Sequence, residues 1–170
     1  MEWEYAICLF TQTHCASRGL RGTTIAAYTA ALKQFHEYLC HHHDGLPPGR
    51  VSPRVALEYV VHLREERGNG DSAINRTVTI LKNFYRALVA MAHLEQADNP
   101  LAHFPKMKAP ARKLPTVLSA DEVQRLLEAS PTDTILGLRD RAILTLLYGT
   151  GIRASECATL REEHVDLSER

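Results

Sequence analysis

Residues 138–160 read LRDRAILTLLYGTGIRASECATL, and this stretch decides how the rest of the chain is interpreted. Its apolar residues recur at helical spacing, at Leu138, Ala142, Ile143, Leu146 and Leu147. That spacing is typical of one face of an amphipathic helix. Gly149-Thr150-Gly151 then predicts a tight break, and a further helix is expected from about Arg153 to Leu160.

Arg153 is the residue of this stretch with the clearest chemistry. A planar guanidinium donates two parallel hydrogen bonds, which suits a phosphate whose non-bridging oxygens carry negative charge. Glu156 follows three residues later on the same helical face, where its carboxylate can hold or orient the arginine. The residues alone leave two interpretations open: a phosphate-binding arginine, or a surface arginine at a helix start.

A proline-rich basic tract precedes this region. Pro100, Pro105, Pro110 and Pro115 are half of the eight prolines, and Lys106, Lys108, Arg112 and Lys113 lie between them without an acid. Such a tract is extended and semi-rigid, which predicts an interdomain linker over residues 99–115, although a solvated loop has the same composition. After it, Ser119 and Glu122 form a capping box that predicts the start of the next helix.

Four helices are predicted before the tract. The segment from Glu2 to Ala16 is compatible with a helix, and a second apolar face comprises Ile25, Tyr28, Leu32, Phe35 and Leu39. Ser52-Pro53 predicts the start of a third helix, and Asp71 or Ser72 is expected to cap a fourth. We therefore predict an all-α chain as present, with a helical domain over 1–98, the linker, and a second region over 116–170.

Composition and charge restrict the class of protein. The 170 residues include 20 basic and 20 acidic side chains and 45% hydrophobic residues, which fits an ordinary folded protein. Through Leu114 there are 14 basic and 10 acidic side chains, so the first part has the charge to meet a polyanion. The chain has no apolar run of transmembrane length and no basic leader, so a cytoplasmic protein is expected.

A histidine-rich run raises the question of a metal site. Cys40 precedes His41, His42, His43 and Asp44. Adjacent residues on a helix cannot all face one ion, so the run is interpreted as a polar helix end. No metal and no other cofactor is predicted, and the four cysteines, which lack C-x-x-C spacing, are expected to be reduced thiols.

The stretch 138–160 resembles the start of the catalytic domain of the tyrosine recombinases, the phage-integrase and Xer-type family. The resemblance includes Arg139-Asp140-Arg141-Ala142, Leu147-Tyr148, Thr150-Gly151-Ile152-Arg153 and Ser155-Glu156, and it continues to Val165-Asp166-Leu167. Leu114-Pro115, Leu118-Ser119 and Glu122-Val123 are similar to the approach to that domain. Upstream, a further set of residues resembles the core-binding domain of the family: Thr24-Ile25, Tyr28, Leu32, Phe35, Ile74-Asn75-Arg76, Leu81, Phe84-Tyr85 and Asn99-Pro100.

The resemblance implies a four-helix, SAM-like core-binding bundle, a basic linker and the first helices of an incomplete α+β catalytic domain. Family members cleave DNA through a covalent 3′-phosphotyrosyl intermediate without a metal. Arg153 would be their first catalytic arginine, acting on the scissile phosphate, with Glu156 supporting it. The tyrosine, hairpin lysine and His-x-x-Arg pair that follow this arginine in the family are not among the 17 residues after Arg153.

The resemblance also implies that duplex DNA is held between the two domains. Candidate DNA-binding residues are Thr24, Asn75, Arg76, Lys82 and Arg86 in the helical domain and Lys106, Lys108, Arg112 and Lys113 in the linker. Double-stranded DNA, and other recombinase protomers on it, are the expected partners. The six tyrosines all precede Arg153 and are expected to be packing residues.

Three functions are compatible with these observations. The first is a truncated tyrosine recombinase that binds DNA in site-specific recombination or integration and is inactive alone, because it lacks the nucleophilic tyrosine. The second is a non-catalytic DNA-binding or regulatory module acting at recombination sites. The third is a helical interaction protein with no nucleic-acid role. In each case the helices after Pro115 are expected to expose apolar faces.

Overall fold

The computed structural model describes residues 1–104 and 116–165, and all regular structure in these ranges is helical. The helices are α1 (Trp3–Leu9), α2 (Gly22–His42), α3 (Pro53–Glu65), α4 (Asp71–Ala90), α5 (Ala120–Glu128), α6 (Ile135–Thr150) and α7 (Ala154–Ala158). Short 3-10 turns lie at Pro48–Arg50, Gln96–Asp98 and Glu162–His164. Among the described helices, none combines the length and hydropathy that a membrane crossing requires. The predicted all-α class is confirmed.

A connected set of aromatic rings forms the core of the first of two units, Met1–Arg112 and Lys113–Arg170. The ring centroid of Trp3, in α1, lies 5.6 Å from those of Phe35 in α2 and Phe84 in α4. Tyr59 of α3 joins the set through Phe35, at a centroid distance of 4.7 Å. Because these rings come from four helices, one aromatic cluster holds the helices together.

The first helix changes its winding after Leu9 and continues as a π-helical segment, Phe10–Cys15. A helical segment from Glu2 to Ala16 was predicted, but the wider turn was not. Residues five apart lie about 140° from one another on an α-helix. The π-helical pattern of i→i+5 hydrogen bonds brings them to the same side. Phe10 and Cys15 are consequently both fully buried.

Two predicted helix starts have different outcomes. Ser52 caps α3 as predicted, because its hydroxyl accepts a hydrogen bond of 3.3 Å from the Val55 N–H. The cap predicted for α4 is wrong: Gly70 is the N-cap, and no side chain caps the helix. The Asp71 carboxylate instead accepts a hydrogen bond of 2.8 Å from Arg64, which draws it away from the backbone N–H groups.

The first unit extends past the boundary expected at residue 98. Asn99, Leu101 and Phe104 are buried, and Leu101 and Phe104 belong to the hydrophobic core. The Asn99 side chain accepts a hydrogen bond of 3.0 Å from the Leu101 N–H, which fixes this turn. Residues 99–104, which composition places in the linker, therefore pack with the helical bundle. Residues 105–115 and 166–170 lie outside the described part of the chain.

The second unit contains α5, α6 and α7. The predicted capping box opens α5: Glu122 accepts a hydrogen bond of 2.8 Å from the Ser119 N–H, and this bond lowers the pKa of the Glu122 carboxyl. The predicted break after α6 falls at Gly151, whose φ of 66° favours glycine. Gly137, in the first turn of α6, lies so close to Pro131 that a Cβ there would overlap the Pro131 carbonyl oxygen.

Apolar side chains of the second unit remain exposed, as expected from the sequence. Within residues 116–165, Val123 is the one large apolar side chain that is buried. Ile135, Leu136 and Leu138 are 86%, 62% and 52% exposed. The helices of this unit consequently have little core of their own.

We predict that Ser52→Ala lowers the free energy of unfolding of the first unit by about 1 kcal/mol, because a Val55 N–H loses its partner. Urea unfolding followed by the fluorescence of the buried Trp3 measures this change. Ser72→Ala is the matched control, since Ser72 is exposed and caps nothing, and it is expected to change stability by less than about 0.5 kcal/mol. Equal losses in the two variants would contradict the assignment of the caps.

A pair of glycine substitutions in α6 is predicted to act with opposite signs. Gly137→Ala forces a Cβ against the Pro131 backbone and is expected to destabilise the start of α6. Gly149→Ala has no heavy atom within 4 Å of the new Cβ and is expected to stabilise the helix by about 0.5–1 kcal/mol. Hydrogen exchange of residues 135–150 measures both changes; slower exchange in Gly137→Ala would contradict the close approach.

Candidate nucleic-acid interface

The fourth helix carries exposed positive charge. Arg76 and Arg86 are exposed, and neither forms an ion pair with any residue that the structure describes. The one acid of α4 is Asp71, and its carboxylate is paired with Arg64 at 2.8 Å. The two arginines are therefore available to an anion outside the protein.

The candidate residues of α4 occupy two sides of the helix. At about 100° per residue, Asn75, Lys82 and Arg86 fall within roughly 40° of one another, whereas Arg76 lies about 100° from Asn75. Asn75 and Lys82 are half-buried, and the two arginines are exposed. A single straight line of contacts along α4 is therefore not available, and Arg76 and Arg86 would meet different parts of a polyanion.

Lys82 is engaged inside the first unit. Its ammonium donates a hydrogen bond of 3.1 Å to the Phe104 carbonyl and lies 5.6 Å from the centroid of the Phe104 ring. This cation–π contact and hydrogen bond hold Phe104 against α4. A contact between Lys82 and DNA stays a prediction. In the structure, its ammonium group is already bonded to Phe104.

Two basic residues that were not selected from the sequence lie just before α2. Thr24 is half-buried in the first turn of α2, and its N–H donates a hydrogen bond of 2.9 Å to the Arg21 carbonyl. Arg21 is the N-cap of α2, and it and Arg18 are exposed. The R-x-x-R spacing before the helix was the available signal, and these two arginines add charge beside Thr24.

The charge of the first 104 residues is balanced. They contain 10 basic and 10 acidic side chains, so the excess of positive charge found through Leu114 belongs wholly to residues 105–115. Lys106, Lys108, Arg112 and Lys113, which were predicted to contact DNA, lie in that segment and outside the described residues. Within residues 1–104, an interface with DNA therefore depends on where the basic side chains lie on the surface and not on an excess of positive charge.

Arg153 and Glu156 contact each other at the start of α7. Arg153 is the N-cap of this helix, and its N–H donates a hydrogen bond of 2.8 Å to Glu156 Oε2. Its Nη1 donates a second hydrogen bond of 3.1 Å to Glu156 Oε1. The arginine side chain remains 82% exposed, so most of the guanidinium is open to a further anion. One carboxylate thus fixes both the backbone and the head group of Arg153.

The tyrosines divide into buried and exposed sets. Burial raises the pKa of Tyr59 to about 12 and also raises the pKa of Tyr85, whose hydroxyl donates a hydrogen bond to the Pro48 carbonyl. These phenols stay protonated at neutral pH and are packing residues, as predicted. Tyr5 and Tyr148 differ from that prediction, because they are 57% and 61% exposed.

A second group of polar side chains was missed by the sequence analysis. His42, His62 and Glu66 bring their ligating atoms within 4.8 Å of one another. The spacing of four between His62 and Glu66 was a signal for part of this group, because it puts both on one face of a helix. Nothing in the sequence indicates that His42 joins them.

Two stretches of the chain match known families. Residues 116–170 match the phage integrase family, and residues 7–91 match the N-terminal SAM-like domain of phage integrases. The first match contains Arg153 and Glu156, and the second contains Thr24 and the candidate residues of α4.

Three proteins that are similar to this chain are named as recombinases. Tyrosine recombinase XerD of Staphylococcus aureus (strain Mu50 / ATCC 700699) is 33% identical over 150 residues, which are 88% of this chain and 49% of that protein. XerD of Halalkalibacterium halodurans is 33% identical over 151 residues, 89% of this chain and 49% of that protein. The crystal structure of XerA recombinase has a TM-score of 0.50 and 26% identity, covering 99% of this chain and 54% of that one. The chain spans about half the length of the curated relatives it matches.

We predict that Glu156→Ala unfolds α7 locally, because this five-residue helix loses both hydrogen bonds that Arg153 donates. Faster hydrogen exchange at residues 154–159 is the expected result. Glu163→Ala is the control, since its carboxylate makes only a 3.5 Å contact with Arg161 and a 3.8 Å contact with His164. Unchanged exchange in Glu156→Ala would show that α7 does not depend on this carboxylate.

Proposed function

Because this chain belongs to the phage integrase family of tyrosine recombinases, we propose that it binds duplex DNA as part of site-specific recombination. The observation that carries the proposal is the charge of α4. Arg76 and Arg86 are exposed without an acidic partner in the described residues, on a helix whose one acid is already paired. These two arginines are the proposed phosphate contacts of the first unit.

Physical chemistry determines how such an interface behaves. Lysine and arginine contacts to phosphate displace condensed counterions, so affinity falls as salt rises. Contacts of this kind position a protein on the duplex without reading its sequence. The half-buried Asn75 and Thr24 are proposed as short polar contacts beside the arginines, and the four basic residues of 105–115 as further backbone contacts. Lys82 is the weakest member of the proposed set, because its ammonium is already bonded to Phe104.

Arg153 is proposed to bind the scissile phosphate as the first catalytic arginine of the family. Its guanidinium is exposed, and Glu156 fixes its backbone and one of its nitrogens. A positioned guanidinium stabilises charge on non-bridging oxygens as a phosphoryl group is transferred. Glu156 contacts the arginine and not the phosphate, so its proposed role is that of a positioning residue.

The 170 residues contain no tyrosine after Arg153. When catalytic residues act as a unit, the loss of one of them removes most of the catalytic activity of the whole unit. A polypeptide of these residues alone is therefore proposed to bind DNA without cleaving it. The second candidate function is a non-catalytic module that acts at recombination sites, and it also predicts DNA binding without cleavage. The two functions differ in whether the same polypeptide supplies further catalytic residues.

We predict that the 170-residue polypeptide retards a mixed-sequence duplex of about 30 base pairs at low salt, and that affinity falls steeply between about 50 and 200 mM salt. The double variant Arg76→Ala/Arg86→Ala is expected to reduce the slope of log affinity against log salt by about 2, because two phosphate contacts are lost. Fluorescence anisotropy of a labelled duplex measures both quantities.

The matched control removes two arginines that already have acidic partners. Arg54→Ala/Arg139→Ala makes the same change in net charge, but these side chains are paired with Glu58 at 2.8 Å and with Asp140 at 2.7 Å. The slope is expected to stay within about half a unit of the unmodified chain. Equal losses in the two double variants, or no retardation at about 50 mM salt, would overturn the proposed interface.

We further predict no covalent adduct between the 170-residue polypeptide and DNA. Incubation with a library of nicked, sequence-randomised duplexes followed by denaturing electrophoresis is expected to show no protein–DNA band that resists detergent. A detergent-resistant band that disappears in Tyr148→Phe would contradict this expectation, because Tyr148 is an exposed tyrosine close in sequence to Arg153.

A further inference from the structure

A cluster of ligating side chains lies where the end of α2 meets the second half of α3. His42 is the last residue of α2, His62 lies within α3, and Glu66 directly follows α3. One ligating atom of each lies within 4.8 Å of the other two. None of the three belongs to the set proposed to contact DNA.

The distances in this cluster suit a tetrahedral metal ion. Zinc bonds of about 2.0–2.1 Å at tetrahedral angles put neighbouring ligand atoms roughly 3.3 Å apart. His62 Nδ1 and Glu66 Oε2 are 3.0 Å apart, and the centroids of the His42 and His62 rings are 5.4 Å apart. His42 and Glu66 are exposed, so small rotations of their side chains bring the third ligand to the same point.

A second observation concerns the geometry at His62 Nδ1. This atom is buried from water and lies 3.0 Å from Glu66 Oε2, but the contact lacks the geometry of a hydrogen bond, and no other residue that the structure describes bonds to it. A buried polar atom without a hydrogen bond costs free energy. Coordination of a cation would use the lone pair of this nitrogen and pair the ion with the Glu66 carboxylate, which removes that cost.

The residues around the cluster distinguish the two proposed histidine ligands from His43. The Tyr38 ring stacks on His42 at a centroid distance of 4.6 Å and lies 4.9 Å from the His62 ring. His43 Nε2 lies 3.5 Å from the Glu58 carboxylate and 3.4 Å from the Tyr38 hydroxyl, so this nitrogen is already engaged. His43 is therefore not among the proposed ligands, whereas the Tyr38 ring packs against both histidines that are.

We propose that His42, His62 and Glu66 bind a divalent ion of the zinc class, with water completing the coordination. Two imidazoles and one carboxylate form a donor set that favours Zn²⁺, Ni²⁺ or Cu²⁺ over Mg²⁺ and Ca²⁺, which prefer oxygen ligands. The ion joins α2 to α3 across the loop between them, and it stabilises the first unit because the site exists only when the two helices are packed. The sequence predicts no metal site because the contiguous run from Cys40 to Asp44 contains neither His62 nor Glu66.

Titration of the reduced 170-residue chain with ZnCl₂ alone, followed by isothermal calorimetry, tests the proposal. The expected result is one tight Zn²⁺ per chain and a rise in the unfolding temperature reported by Trp3 fluorescence. His42→Ala, His62→Ala and Glu66→Gln are each expected to weaken Zn²⁺ binding at least about tenfold and to abolish the rise. Saturating Mg²⁺ is expected to produce no rise.

The controls are substitutions in the neighbouring run. His41→Ala removes an exposed histidine whose Nδ1 contacts the Glu37 carbonyl at 2.7 Å, and Cys40→Ser removes the nearest thiol in the sequence. Both variants are expected to bind Zn²⁺ as the unmodified chain does. His42 and Glu66 are exposed, so their variants are expected to fold even if His62→Ala does not.

Three results would overturn the proposal. The first is no Zn²⁺ binding with a dissociation constant below about 100 μM by the unmodified chain. The second is unchanged Zn²⁺ affinity in folded His42→Ala and Glu66→Gln. The third is loss of Zn²⁺ binding in Cys40→Ser or His41→Ala to the same extent, which would assign the ion to the contiguous run. DNA binding is measured separately and does not bear on these outcomes.

Discussion

The stacking of Trp3 on Phe84 is the contact on which the first unit depends. The two ring planes are inclined by 14°, and the same indole lies edge-on to Phe35 at 88°. Its N–H donates a hydrogen bond of 2.8 Å to the Leu46 carbonyl in the loop after α2. One side chain thereby joins α1 to α2, to α4 and to that loop. The ring face is packed against Phe84, and the indole N–H has a hydrogen-bond acceptor. The helix that carries Arg76 and Arg86 is held by this contact.

Much of the fold was predictable because amphipathic helices are encoded by local spacing. Leu32, Phe35 and Leu39 were predicted as one face of α2, and all three are buried. The π-helical winding of Phe10–Cys15 was not predictable, because it depends on which side chains of this segment pack against the other helices. The cap of α4 was misassigned for a similar reason: Arg64, on a different helix, takes the Asp71 carboxylate.

The candidate sites follow the same division. The contact between Arg153 and Glu156 follows from the spacing of three between the N-cap and the first turn of α7, and it could be predicted from the sequence. The bond from Lys82 to Phe104 joins residues 22 positions apart, and sequence spacing carries no information about it. The approach of His42 to His62 is likewise a result of packing between α2 and α3. Family resemblance located the arginine, whereas the tertiary structure was needed to show which charges already have partners.

The unequal burial in the two units has a thermodynamic consequence. The heat-capacity change of unfolding comes mainly from apolar surface that becomes hydrated, and in the second unit most of that surface is already exposed in the folded chain. Its helices of 9, 16 and 5 residues are near or below the length at which an isolated helix is stable in water. A calorimetric scan of this chain would therefore record the first unit as a cooperative transition, while α5, α6 and α7 lose helicity gradually, without a sharp heat-absorption peak and with only a small change in heat capacity.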